Sequence, residues 1–144
     1  MLWEVKLLLS VFTASHRTRF LDDCYESLLK QSYGDWEWVV LVNGGGSAWR
    51  PPVDDTRVRV LRNGKVRGVG AAKRAACAMA GGAVLVELDR NDRLSLNCLE
   101  LASEVFAADA GLVFVCSDWE TYRQRWRPLA MTASTRRWVG ATTR

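Results

Sequence analysis

Ala83-Val84-Leu85-Val86-Glu87-Leu88-Asp89-Arg90-Asn91-Asp92-Arg93-Leu94 decides how the rest of this chain is read. Its apolar half is too short for a helix and runs straight into closely spaced acids, which predicts a buried strand ending in a polar loop. Val84, Leu85, Val86 and Leu88 suit a parallel strand covered on both faces. In open α/β sheets ligands sit beyond the carboxyl ends of such strands, where Asp89, Asn91 and Asp92 would project. Oxygen side chains on a short loop suit a hard divalent cation that keeps water and takes phosphate oxygens as further ligands. Two carboxylates and an amide are also a short motif, and a solvated turn with an aspartate helix cap is the plainer reading of the same spacing.

Upstream, Trp3 to Thr13 reads as a first strand, closed by the polar turn Thr13-Ala14-Ser15-His16-Arg17. Thr18 can cap a helix there, Asp22 and Asp23 favour the positive end of its dipole, and Leu21, Cys24, Tyr25 and Leu28 recur on one helical face. Lys30 and Gly34 mark its end. Trp36 to Val42 is a second buried strand, broken by Asn43-Gly44-Gly45-Gly46-Ser47, whose glycines permit close backbone approach or positive φ. Ser47 to Thr56, with Pro51 and Pro52, is an irregular crossing, and Arg57 to Arg62 alternates as a half-exposed edge strand does.

Gly68-Val69-Gly70 opens a helix with Ala72, Ala75, Ala76 and Met79 on one face, closed by Gly81-Gly82. A glycine-rich helix start can accept phosphate through free N–H groups. The third glycine of a dinucleotide fingerprint is absent, however, with Lys73 in its place, and a plain tight turn explains the segment as well. Downstream, Ser95 can cap a helix running to about Ala108, with Cys98, Ala102, Val105 and Phe106 inward. Asp109-Ala110-Gly111 stops it, and Leu112 to Cys116 is one more buried strand, ending at Ser117-Asp118-Trp119. The order βαββαβαβ with short loops predicts an α/β fold, a mostly parallel sheet with helices on both faces.

The chain has 144 residues, 49% of them hydrophobic, enough for one domain that buries roughly 68 to 70% of its unfolded surface. Cys24, Cys77, Cys98 and Cys116 are dispersed and form no C-x-x-C pair, which predicts reduced core residues in a cytoplasmic protein. Leu7 to Phe12 is too short to span a membrane and lacks a signal-peptide pattern. The net charge is +4, yet residues 1–121 carry 14 Lys and Arg against 16 Asp and Glu, and residues 122–144 carry six Arg and no acid. The basicity therefore belongs to the tail, and the globular part offers no electrostatic footprint for nucleic acid. Residues 1–121 are expected to form the domain and residues 122–144 a basic tail, solvated or docked on a second copy or partner through Trp126 and Trp138. Its deletion should leave cooperative unfolding intact.

Residues 7 to about 120 resemble the N-terminal, nucleotide-sugar-binding half of a family 2 glycosyltransferase of the GT-A, Rossmann-like fold. The resemblance rests on Ser10 to Arg17, the helix pattern Leu21 to Leu28 followed by Gln31-Ser32-Tyr33, and Trp36 to Gly44. Gly68-x-Gly70-x-Ala72-Lys73-Arg74 and Glu87-Leu88-Asp89-Arg90-Asn91-Asp92 complete it. The resemblance implies that Thr13, Ser15 and Asn43 hold a nucleotide base, usually uracil or another pyrimidine. It places Lys73 near base or diphosphate, and Asp89 first in a D-x-D pattern that fixes ribose or metal. Mn²⁺ or Mg²⁺, held by Asp89, Asn91 and Asp92, would bridge to the diphosphate and stabilise the departing nucleotide.

The chain departs from that family at three points. Asn43 and Asn91 stand where acids are usual, which lowers the negative charge offered to a cation, although Asp92 can compensate. The acceptor-binding half, with its general base, has no counterpart, so the domain is read as truncated relative to the family; Asp118 is a weak candidate for a catalytic carboxylate. The implied function is binding of a nucleotide diphosphate sugar, a UDP-sugar, for inverting transfer to an unknown hydroxyl acceptor. The alternative is a nucleotide- or partner-binding domain without turnover.

Overall fold

The computed structural model describes residues 6–44, 48–64 and 68–115. The chain divides into two units, residues 1–108 and 109–144. The first holds β1 (Leu9–Ser15), α1 (Leu21–Leu29), β2 (Trp36–Asn43), β3 (Val58–Asn63), α2 (Val69–Ala78), β4 (Val84–Glu87) and α3 (Cys98–Ala108). Its four strands form one all-parallel sheet in the order β3-β2-β1-β4, the α/β architecture expected of a GT-A-like fold.

Side chains alternate across a strand, and along β2 that alternation builds two cores. Trp36, Trp38, Val40 and Val42 face Leu21, Cys24, Tyr25 and Leu28 of α1 and Leu99 of α3. Val39 and Leu41 face Ala72 and Ala76 of α2 on the other side. Each fully buried Leu or Val contributes roughly 1.5 to 3 kcal/mol relative to exposure. The small residues of α2 let it lie close to the sheet. The irregular crossing between β2 and β3 is anchored by Trp49, which is buried edge-on to Trp38 with centroids 5.3 Å apart. The Trp49 indole donates to Asp22 Oδ1 at 2.9 Å.

A polar network closes the N-terminal end of the sheet. Ser10 Oγ donates to Glu37 Oε1 at 2.6 Å, Arg59 donates to Glu37 Oε2 at 2.9 Å, and the N–H groups of Gly81 and Gly82 donate to Glu37 Oε1 and Ser10 Oγ. A Cβ on Gly82 would lie 2.5 Å from the Leu8 carbonyl oxygen and 2.6 Å from Ser10 Oγ. The close approach that lets α2 turn into β4 therefore excludes a side chain there.

Several expectations change. β1 starts at Leu9 rather than Trp3, and residues 1–5 lie outside the described residues. Thr18 does not cap α1 through its side chain: its carbonyl accepts the Leu21 N–H, and Phe20 holds the cap position with φ 74°. Ser95 likewise offers only its carbonyl to Cys98 N–H, while Gln31 Oε1 accepts the Leu99 N–H at 3.0 Å. In α3 it is Leu99 that is fully buried, and Cys98, Ala102, Val105 and Phe106 are half-buried. β4 is an edge strand of the described sheet and Leu85 is 49% exposed; a short apolar run does not distinguish edge from centre.

Residues 112–115 form no strand, and Val113 and Phe114 are 82% and 62% exposed. Hydrophobicity alone does not supply the pairing partner a strand needs. Cys116, Ser117, Asp118, Glu120 and the tail from 122 to 144, with Trp126 and Trp138, lie outside the described residues. Cys24, Cys77 and Cys98 are free thiols. Among the described residues no helix is long and apolar enough to cross a membrane.

Asp55 ties the crossing segment to the core. Its carboxylate accepts Arg57 Nε and Nη2 at 3.0 and 2.9 Å and the Tyr25 hydroxyl at 2.8 Å, while the guanidinium lies 3.9 Å over the Trp36 ring. The Arg57 hydrogen bonds, foremost, hold the Asp55 carboxyl at about 2, below its ordinary 3.8. A depressed folded value means that this contribution is complete above about pH 4 and is lost as pH falls through 2. Asp55→Asn is expected to cost about 1 to 2 kcal/mol at pH 7 and to flatten the loss of stability between pH 4 and 2. Urea unfolding across that pH range checks both.

Candidate functional site

Parallel strands end at the same edge of a sheet. Ser15 and Asn43 close β1 and β2, and Asp89 follows β4 by two residues, so Thr13, Ser15, Asn43 and Asp89 collect at that edge. Ser117, expected beside them, lies outside the described residues. A cleft of about 220 Å³ opens there, lined by Ala14, Ser15, Val69, Lys73, Asp89, Arg90 and Asn91. Ligand pockets for drug-sized molecules run from about 300 to 1,000 Å³. This cleft is smaller than that range.

Four of the expected residues, Ser15, Lys73, Asp89 and Asn91, line this cleft together. Lys73 projects from the first turns of α2, and its ammonium contacts the Glu87 carboxylate and lies 3.6 Å from Asp89 Oδ1. The Glu87 hydrogen bond, foremost, raises the Lys73 pKa and keeps it cationic. Partial desolvation, then the charges of Asp89 and Glu87, hold the Asp92 carboxyl above its ordinary range. Glu87 was not singled out from the sequence. The signal available for it was its place as the last residue of the strand, one side-chain step before the loop.

Three further expected residues, Thr13, Asn43 and Asp92, stand apart from the cleft wall, and Asp118 lies outside the described residues. Thr13 is 1% exposed; its hydroxyl donates to the Leu88 carbonyl at 2.5 Å and accepts the Trp38 indole N–H at 2.9 Å. It shapes the site from beneath. Asn43 is buried at the end of β2, its Oδ1 accepting Asn63 Nδ2 at 3.2 Å across the β2–β3 pair. Asp92 turns back, its N–H donating to the Asp89 carbonyl at 2.9 Å. Beneath this turn the buried Cys24 thiol lies 3.3 to 3.5 Å from the carbonyl oxygens of Asp89, Arg90 and Asp92. Burial, foremost, pushes that thiol up to about 12, so it serves as a neutral donor to the loop backbone.

Asp89, Asp92 and the Asn91 amide oxygen are the hard donors that Mg²⁺ or Mn²⁺ prefers. Among the described residues no group of three or more His, Cys, Asp or Glu side chains is arranged to hold a metal. The donor types fit a divalent ion, but the set is short of a full shell and needs phosphate oxygens and water to complete it.

The family model described as Glycosyl transferase family 2 matches residues 10–142. No curated protein matches the chain.

Thr13→Val keeps the shape but leaves the Leu88 carbonyl and the Trp38 N–H without their partner. Unpaired buried groups cost about 1 to 3 kcal/mol each. Thr13→Val is therefore expected to lower the unfolding free energy by about 2 kcal/mol or more, measured by chemical denaturation, whereas Thr13→Ser should recover most of it.

Proposed function

The chain belongs to glycosyl transferase family 2, and on that premise we propose that the cleft takes the diphosphate of a nucleotide sugar, a UDP-sugar, for inverting transfer to a hydroxyl acceptor. One observation carries this reading: Ser15, Lys73, Asp89 and Asn91, from three separate segments, line one cleft at the carboxyl ends of the strands. That is where open α/β sheets bind their ligands.

In this reading Lys73 faces the diphosphate, and the first turn of α2, whose N–H groups have no intrahelical partner, adds donors to the same anion. Ser15 and the buried Asn43 orient the base, and Thr13 positions the Leu88–Asp89 backbone that they approach. Asp89 contacts ribose or cation, and Asn91 and Asp92 complete a site for Mn²⁺ or Mg²⁺. When bound, the ion supplies positive charge against the departing diphosphate. Inverting transfer also needs a base for the acceptor hydroxyl, for which this chain offers no assigned residue; Asp118, a weak candidate for a catalytic carboxylate, fits a donor-sugar or acceptor contact better than that base. The setting we propose is cytoplasmic.

A second reading, nucleotide binding without turnover, draws on the ion pairing of Asp89 by Lys73 at 3.6 Å. A carboxylate already neutralised is a weaker holder of a catalytic cation.

Calorimetry with uridine diphosphate, with and without Mn²⁺, separates these readings from an unrelated role. Nucleotide and Mn²⁺ are expected to strengthen each other's binding by the same factor, on the order of 1 to 3 kcal/mol. Asn91→Asp should tighten Mn²⁺ binding, and Asp89→Ala or Asp92→Ala should weaken it. Nucleotide affinity indifferent to Mn²⁺ in both the parent and Asn91→Asp would end the metal-assisted reading. Nucleotide binding with neither donor hydrolysis nor acceptor transfer would favour the second.

A further inference from the structure

The carboxyl ends of the strands bring two carboxylates, Glu87 and Asp89, close to one ammonium. Lys73 contacts Glu87 directly and reaches to 3.6 Å from Asp89 Oδ1. A divalent ion placed on Asp89 would therefore sit a few ångströms from this ammonium. Two cations at that range repel well inside the screening length of physiological salt, about 8 Å. Either the ion stays out or the lysine moves.

The lysine is able to move. Its side chain is 30% exposed, it stands on the surface of α2 while Ala72 and Ala76 carry the packing, and its ammonium ends a flexible four-carbon stem. An arriving phosphate offers it a new anionic partner within the same cleft.

Resting on the donor-site reading above, we propose that Lys73 is the resident counter-ion of Asp89, and that loading the site exchanges it: the lysine passes to the phosphate and Asp89 passes to the divalent ion. The family resemblance implies for Lys73 only a contact with base or diphosphate; its place beside Asp89 adds a competition with the metal. Cooperativity between the two ligands is then carried in part by one side chain. Each ligand removes the lysine from Asp89, and whichever binds first spares the second that displacement.

The test titrates Mn²⁺ alone into the parent chain, Lys73→Met and Lys73→Gln, reading free Mn²⁺ by electron paramagnetic resonance. Arg74→Gln removes the same charge from the next position of the same helix and serves as the control; Arg74 is exposed. Both Lys73 variants are expected to bind Mn²⁺ on the order of tenfold more tightly than the parent, with Arg74→Gln within about twofold of it. Equal affinity in parent and Lys73 variants, no measurable binding to either variant, or an equal gain in Arg74→Gln overturns the proposal. A second titration adds uridine diphosphate. The nucleotide should enhance Mn²⁺ binding more in the parent than in the Lys73 variants, and equal enhancement overturns the exchange. If the parent binds no nucleotide while the Mn²⁺ gain remains, the donor reading falls, and with it the phosphate half of the exchange, but the competition for Asp89 stands.

Discussion

The hydroxyl of Thr13 is the point on which the rest of this structure depends. It accepts from an indole on β2 and donates to a carbonyl at the end of β4, so one buried oxygen joins three strands of the sheet. Trp38, held in this way, stacks on Tyr25 at 6.2 Å and meets Trp49 edge-on. The same hydrogen bond thereby reaches α1 and the irregular crossing beyond β2. Removing such a partner leaves groups unpaired where water does not replace them, which makes the arrangement all-or-none in character.

The two ends of the sheet are treated differently. At the N-terminal end Glu37, Ser10, Arg59 and the Gly81-Gly82 backbone satisfy one another and leave no room for a side chain on Gly82. At the C-terminal end the backbone is held from below, by Thr13 on Leu88 and by the Cys24 thiol under the Asp89, Arg90 and Asp92 carbonyls. That support leaves the loop's side chains facing solvent: Asp89, Asn91 and Asp92 are all exposed. A backbone held from below that carries exposed polar side chains is the arrangement a binding site requires.

The charges at that edge are partly balanced within the chain. Lys73 pairs with Glu87 and lies 3.6 Å from Asp89 Oδ1, which offsets part of the repulsion between those two carboxylates. Exposure matters here, because a pair that solvent reaches can be exchanged at modest cost, unlike a buried one. The ion pairing itself follows from the geometry of α2 against β4.

By itself the amino-acid order determined the sheet and its working edge. The alternation of Trp36, Trp38, Val40 and Val42 and the one-face spacing of Leu21, Cys24, Tyr25 and Leu28 are local, and each is repeated along its element. Once the strands are parallel, Asn43 and Asp89 share an edge because each follows a strand. Only tertiary structure decided that Thr13 is spent inside the core, that Gln31 rather than Ser95 serves the start of α3, that Glu87 receives Lys73, that β4 lies at an edge of the described sheet, and that residues 112–115 form no strand. The Thr13, Gln31 and Glu87 assignments join residues from 14 to 75 positions apart. Periodicity reports which face a residue occupies, and it is silent on which distant group waits there, because that depends on how close the packed elements come and not on the spacing within either one.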